Sequence, residues 1–161
     1  MAETPIIIRE QQYGEIKTVL AKLRTEAASE VTFLIDKNGQ SIAVEGDVSG
    51  LDTTSLASLA AGNVAATNGM AQLVGEKEFP TLAHEGEHEN IFICVIGRSL
   101  LVVVFNGRSS LGLVKLRVKQ ATRELAPILE RVMKEASVAQ AAADNALFSG
   151  ITDEDIDSLF N

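Results

Sequence analysis

Two apolar runs, Ile91-Phe-Ile-Cys-Val-Ile96 and Leu100-Leu-Val-Val-Val-Phe105, stand on either side of Gly97-Arg98-Ser99. Neither run alternates apolar with polar residues, so neither can lie with one face in water. Rich in β-branched side chains, they read as two adjacent strands in the centre of a sheet with helices over both faces. The pair is broken by its turn and is too short to span a bilayer as a helix.

The remaining sequence supplies the partners such a sheet needs. Tyr13, Ile16, Leu20, Leu23 and Ala27 recur at three- and four-residue steps, which predicts an amphipathic helix from about Arg9 to Ala28. Val31 to Ile35 reads as a strand, Asp36-Lys-Asn-Gly39 as a turn, and Ser41 to Glu45 as the return strand of a hairpin. Gly46 to Leu51 is a loop. Asp52 or Thr53 caps a helix that runs to about Val74 and stops at Gly75. Pro80 opens a strand through about Gly86, and Glu87 to Asn90 turn the chain. After a turn at Asn106 to Ser109, a last helix runs from about Ser110 to Glu135, with Val114, Val118, Ala121, Leu125, Ile128 and Val132 as its stripe. Pro127 lies inside it and is expected to kink it near Arg123 to Leu125. The fold class is α+β, ordered α-β-β-α-β-β-β-α, with a five-stranded antiparallel sheet between helices. Residues 1–136 form the domain, and residues 137–161 a linker and an acidic amphipathic segment. Ser137 to Ser149 reads either as that linker or as an extension of the last helix.

Composition removes several classes of function. With 14 Lys and Arg against 22 Asp and Glu, the net charge is −8, which disfavours nucleic acid and anionic membrane as partners. A single cysteine leaves no internal disulfide and no four-cysteine zinc site. The first ten residues hold no basic region or apolar core of a leader, so a cytoplasmic protein is expected.

The helix from Thr53 to Gly75 carries no charge at all. With Leu56 at zero and about 100° per residue, Leu56, Leu59, Ala60, Val64, Met70 and Val74 gather on one side, expected to pack on the sheet. Ser58, Ala61, Gly62, Ala65, Asn68, Gly69 and Gln72 gather on the other. A solvent face normally carries Lys and Glu, and each internal glycine costs about 1 kcal/mol relative to Ala. Two readings follow: a surface for a second copy and a partner, or a helix covered on both sides within its own domain.

Features suggestive of chemistry fail on geometry. His84-Glu85-Gly86-Glu87-His88 matches the H-E-x-x-H zinc signature, which requires a helix. On a strand, positions four apart are separated by about 13 Å, too far to share an ion. The Gly-rich Asn106-Gly-Arg-Ser-Ser-Leu-Gly112 meets a helix start but lacks the spacing and lysine of a P-loop. Cys94 reads as an inert core residue, and Asp36 and Asp52 have no triad partners. No catalytic residue, metal ligand or cofactor site is expected.

At the C-terminus, Thr152 can cap a short helix, with Asp155 three residues on and Ile151 and Ile156 as a hydrophobic staple. Ile151, Ile156, Leu159 and Phe160 make this acidic segment a candidate recognition element that folds on a partner, or else docks on its own domain.

Phe33-Leu-Ile-Asp-Lys-Asn-Gly-Gln40, Asp52-Thr-Thr-Ser-Leu-Ala-Ser-Leu-Ala-Ala-Gly-Asn-Val-Ala-Ala66 and Asn106-Gly-Arg-Ser-Ser-Leu-Gly-Leu-Val114 resemble the Roadblock family. Within it they are similar to its bacterial polarity and gliding-motility regulators, over about Gln12 to Glu135, and the acidic ending is similar too. Pro127 departs from the pattern. The resemblance implies a Roadblock-type homodimer whose sheet continues across a two-fold axis and whose paired central helices form a platform. It implies a Ras-like GTPase of the MglA type as partner, two subunits to one GTPase, with hydrolysis stimulated without an arginine finger. Contact roles carry over to Ala61, Ala65, Asn68 and Gly69 in the matching helix, with Ser58, Gly62 and Gln72 on their face. Enrichment at a cell pole follows from the same resemblance. The alternatives are a scaffold that binds a GTPase or another Roadblock chain without changing turnover, an exchange factor acting through the C-terminal segment, or a finger mechanism through Arg98 or Arg108.

Overall fold

The computed structural model describes residues 6–160, the side chain of Ile156 excepted. Helix α1 (Glu10–Glu26) leads into strands β1 (Val31–Asp36) and β2 (Ser41–Gly46), then helix α2 (Thr53–Leu73). Strands β3 (Thr81–Glu85), β4 (Glu89–Ile96) and β5 (Ser99–Asn106) follow, then helices α3 (Leu111–Phe148) and α4 (Asp153–Ser158). The five strands form one antiparallel sheet in the order β2-β1-β5-β4-β3. This is the α+β architecture that the apolar runs demanded.

β5 lies at the centre and is buried from Ser99 through Phe105. Successive side chains along it point to opposite faces, so each strand feeds two cores. On one face Leu101, Val103 and Phe105 join Leu34 and Phe92 under α1 and α3, against Ile16, Leu20 and Leu125. On the other, Val102 and Val104 join Phe33, Ile35 and Ile93 under α2, against Ala57, Ala60 and Val64.

Two turns set the positions of the layers. Gly46 ends β2 at φ +119, and a Cβ there would meet the Glu30 carbonyl oxygen at 2.2 Å. Gly39, at φ +90 in the β1–β2 turn, lets that turn approach the backbone of α2, where a Cβ would stand 3.0 Å from Ser58 Cα.

One boundary shifts. The turn between β3 and β4 is shorter than Glu87 to Asn90, because the Gly86 N–H donates to the Glu89 carbonyl at 3.0 Å and β4 already begins at Glu89. Residues 137–148 take the helical alternative: α3 continues through them, 16 residues beyond its last buried position, Val132. The Ala-rich composition that left little to bury also favours helix without burial. Pro127 lies inside α3, which runs on past it. It lies on the exposed side, where water can take the carbonyl that its missing N–H leaves free. No helix among the described residues is long and apolar enough to cross a membrane.

Leu101 is fully buried between β1 and β4, with helices over it. Leu101→Ala should therefore lower the stability to urea by about 2–5 kcal/mol, the range for a core leucine that leaves a cavity. Equilibrium denaturation followed by circular dichroism measures it.

Candidate interface on the central helix

The Asp52 side chain caps α2, accepting from the Ser55 N–H at 3.0 Å and the Ser55 hydroxyl at 2.6 Å. Those hydrogen bonds hold the Asp52 carboxyl below the usual range. Val74 and Gly75, the latter at φ +85, end the helix as its sequence predicts.

The phase of α2 differs in part from the reading anchored on Leu56: Leu56, Ala60 and Val64 pack on the sheet as expected, and the other three do not. Its sheet side is Ala57, Ala60, Ala61, Val64 and Ala71, all buried. Ala61 is 7% exposed, so this proposed contact belongs to the core of its own chain. Asn68 also turns inward and is half-buried. Leu59, Met70 and Val74, expected on the sheet, are instead 71%, 60% and 70% exposed. The physical reason is clearance: alanines bring a helix close to a flat, filled sheet, and larger side chains on that side would hold it away. Of the expected outward residues, Ser58, Gly62, Ala65, Gly69 and Gln72 do face solvent.

The outward face is therefore more apolar than expected. Leu59, Ala66, Met70 and Leu73 recur at steps of seven, four and three, and Leu73 is 88% exposed. That heptad-like spacing was visible in the sequence and was masked by taking the larger residues as the inward side. Gly62 and Gly69 have open space where a Cβ would stand, so no contact among the described residues requires them to be glycine. Asn68 Oδ1 is buried and, among the described residues, has no hydrogen-bond partner. An uncharged helix face with large exposed apolar side chains is the usual mark of an interface.

The edge strand β3 runs beside this helix, tied to it by His84 Nε2 and Asn63 Oδ1 at 3.2 Å. Its outer side has no strand partner in the sheet. His84 lies on a strand and His88 in the turn after it, 83% exposed, so the H-E-x-x-H stretch does not have the helical form its zinc chemistry needs. The Asn106–Gly112 stretch is a capped turn: Asn106 Oδ1 accepts from the Arg108 N–H at 2.9 Å, and Ser110 Oγ accepts from the Leu113 N–H at 3.2 Å.

A groove of about 930 Å³ opens at the start of α2, between it and the ends of β1 and β5. Glu30 and Glu89 meet there. Glu30 Oε1 accepts from Asn106 Nδ2 at 2.6 Å and lies 4.0 Å from Arg108 Nη2. The hydrogen bond to Glu30 pushes the Glu89 carboxyl above its usual range, with burial and charge repulsion acting the same way. Sequence reading missed this pair, because its members are 59 positions apart and only the sheet register joins them. Arg98 sits at the other end of β5, in contact with Met133 Sδ at 3.9 Å. Eight residues of strand separate the two candidate finger arginines by about 26 Å, so they serve different ends of the molecule.

At the C-terminus, Thr152 and Asp155 form the expected reciprocal cap: Asp155 Oδ2 accepts from the Thr152 N–H at 3.0 Å, and the Asp155 N–H donates to Thr152 Oγ1 at 3.4 Å. Ile151 is 46% exposed, Leu159 81% and Phe160 85%. The side chain of Ile156 lies outside the described residues. Cys94 is half-buried beside Thr122 rather than fully in the core, and burial pushes its thiol pKa up.

The Roadblock/LC7 domain family matches residues 15–105, from α1 to the end of β5. The chain belongs to the Roadblock/LC7 family. Among solved structures it is similar to MglB of Myxococcus xanthus, at 47% identity and a TM-score of 0.73, over 78% of this chain and 96% of that one. It is also similar to the gliding protein MglB of Thermus thermophilus, at 32% identity and a TM-score of 0.75, over 81% of this chain and 99% of that one. An MglB solved in a tetrameric arrangement matches at 31% identity with a TM-score of 0.76, over 81% and 99% of the two chains. The bacterial branch of the family that the sequence resembles is thus the MglB one. No curated protein matches.

A raised carboxyl pKa favours the protonated form in the fold, so Glu89 supports stability below its unfolded pKa and opposes it above its folded pKa. Glu89→Gln should raise the thermal midpoint at neutral pH, and the gain should vanish as the pH falls into the carboxylate range. Melting curves across pH would record both.

Proposed function

We propose that this chain is an activator of a bacterial Ras-like GTPase of the MglA type. It acts as a homodimer in which α2 of each subunit contributes to one GTPase-binding platform. The outward face of α2 carries this reading: an uncharged face with Leu59, Ala66, Met70 and Leu73 exposed and with glycines where a side chain would stand off a partner. Similarity to MglB supplies the class of partner. The unpaired edge of β3 beside α2 favours a sheet that continues into a second copy, and two subunits meet one GTPase.

Ser58, Gly62, Ala65, Gly69 and Gln72 are the proposed contact residues, with Ala61 supporting the helix from beneath. Asn68, whose carbonyl oxygen is buried, supports the helix from its inner side rather than touching the partner. No arginine of this chain acts as a finger in this scheme. The chain works by holding the GTPase's own loops in place, which suits a reaction governed by positioning and electrostatics. It is a regulator with no active site of its own, acting in cell polarity and gliding motility in the cytoplasm, with enrichment at a cell pole.

Single-turnover GTP hydrolysis by an MglA-type GTPase, at two subunits of this chain per GTPase, tests the scheme. A large acceleration is expected. Ala65→Arg places a charge on the exposed face without touching either core, so it should abolish the acceleration and leave the thermal midpoint unchanged. Normal stimulation by Ala65→Arg would exclude the platform. Binding without acceleration would leave a scaffold.

Arg108 is held near Glu30 at the groove, so Arg108→Ala should keep at least half of the stimulated rate. A loss approaching the thousandfold scale of a finger arginine would reverse that conclusion.

A further inference from the structure

On the sheet face opposite α2, helix α3 and the β3–β4 hairpin leave a groove of about 420 Å³. Phe92, Cys94 and Thr122 form its floor, and Lys115, Lys119 and Arg123 its rim. The three cations stand four residues apart, one above the next along α3. Among the described residues none of them has a carboxylate partner, and no acid lines the groove. Neighbouring cations of the same helix are paired: Arg117 with Glu26 at 3.7 Å and Arg131 with Glu15 at 2.6 Å. Residues 111–123 hold four cations and no anion, in a chain of net charge −8. An occupant complementary to this groove is acidic on one side and apolar on the other.

The chain carries such a segment. Beyond Phe148 there are four acids, Asp153, Glu154, Asp155 and Asp157, and no cation. Asp153 and Asp157 are four residues apart on α4, which is the spacing of Lys119 and Arg123 on α3. Leu159 and Phe160 follow at once and lie open to solvent.

Its own groove is out of reach. From Arg123 to Phe148, α3 advances about 37 Å. The five residues from Ser149 to Asp153 span about 18 Å at full extension. With α3 intact, the acidic helix can meet only the groove of another molecule.

We infer that the groove between α3 and the β3–β4 hairpin of one chain receives α4 of a second copy. Asp153 and Asp157 pair with Lys119 and Arg123, and Leu159 and Phe160 cover Phe92 and Cys94. Docked there, the tail withdraws its apolar residues from any other partner. The outward face of α2, across the sheet, stays free.

Sedimentation velocity of the full chain at about 20 mM and about 500 mM salt tests this, since exposed charge pairs are screened at the higher value. Self-association beyond the high-salt species is expected at low salt. Asp153→Lys with Asp157→Lys should weaken it by about tenfold or more, as should Lys119→Glu with Arg123→Glu, since each turns two attractions into repulsions. The four substituted side chains are all exposed, so the fold is preserved. The chain carrying all four substitutions should regain the salt-sensitive association. Association that is absent or indifferent to salt, a reversal effective on one side only, or failure of the fourfold variant to recover would each overturn the inference.

Discussion

Burial of β5 on both faces is the constraint on which the rest of this molecule depends. A strand with no polar side can exist only if something apolar covers each side of it. That requirement calls for α1 and α3 on one face and α2 on the other, and the one further described helix, α4, is a single short exposed turn or two. β1, buried from Val31 to Ile35, shares the demand as the neighbour of β5. The outer strands β2 and β3 are correspondingly polar and exposed at their edges.

The two faces are covered unequally. α1 and α3 bring long side chains and bury them deeply, whereas α2 covers its side mainly with four alanines and one valine, with Leu56 half-buried at its start. Close packing of small residues holds α2 near the sheet but leaves its larger side chains facing outward. Nothing among the described residues buries Leu59, Met70 or Leu73. The apolar outer surface of α2 is thus the counterpart of the way its inner surface is packed, and both follow from one helical phase.

Much of this arrangement was legible in the sequence because local signals and hydrophobic period agreed. The unbroken runs located the sheet centre, Asn38-Gly39 located the hairpin, and Asp52 or Thr53 and Ser110 located two helix starts to within a residue. The phase of α2 was not legible, since Ala, Ser and Gly are nearly silent in a hydrophobic-period argument and the larger residues then dominate it. Neighbours set by strand register, such as Glu30 and Glu89, are out of reach of a linear reading. The continuation of α3 past Val132 was ambiguous for a different reason: an Ala-rich stretch is favourable to helix whether or not it packs. Family resemblance added the class of partner, which neither period nor spacing contains.

Gly39 reaches further than its place in a hairpin suggests. Its backbone stands against Ser58, so a side chain at position 39 would press the first turns of α2 outward by a few tenths of an ångström, besides straining a turn held at positive φ. Lifting one end would tilt the helix, and Leu73 at its far end would swing with it. The orientation of the outer surface is therefore calibrated by a residue that lies beneath it, and selection for what α2 presents to the outside would act on position 39 as strictly as on the residues that are seen.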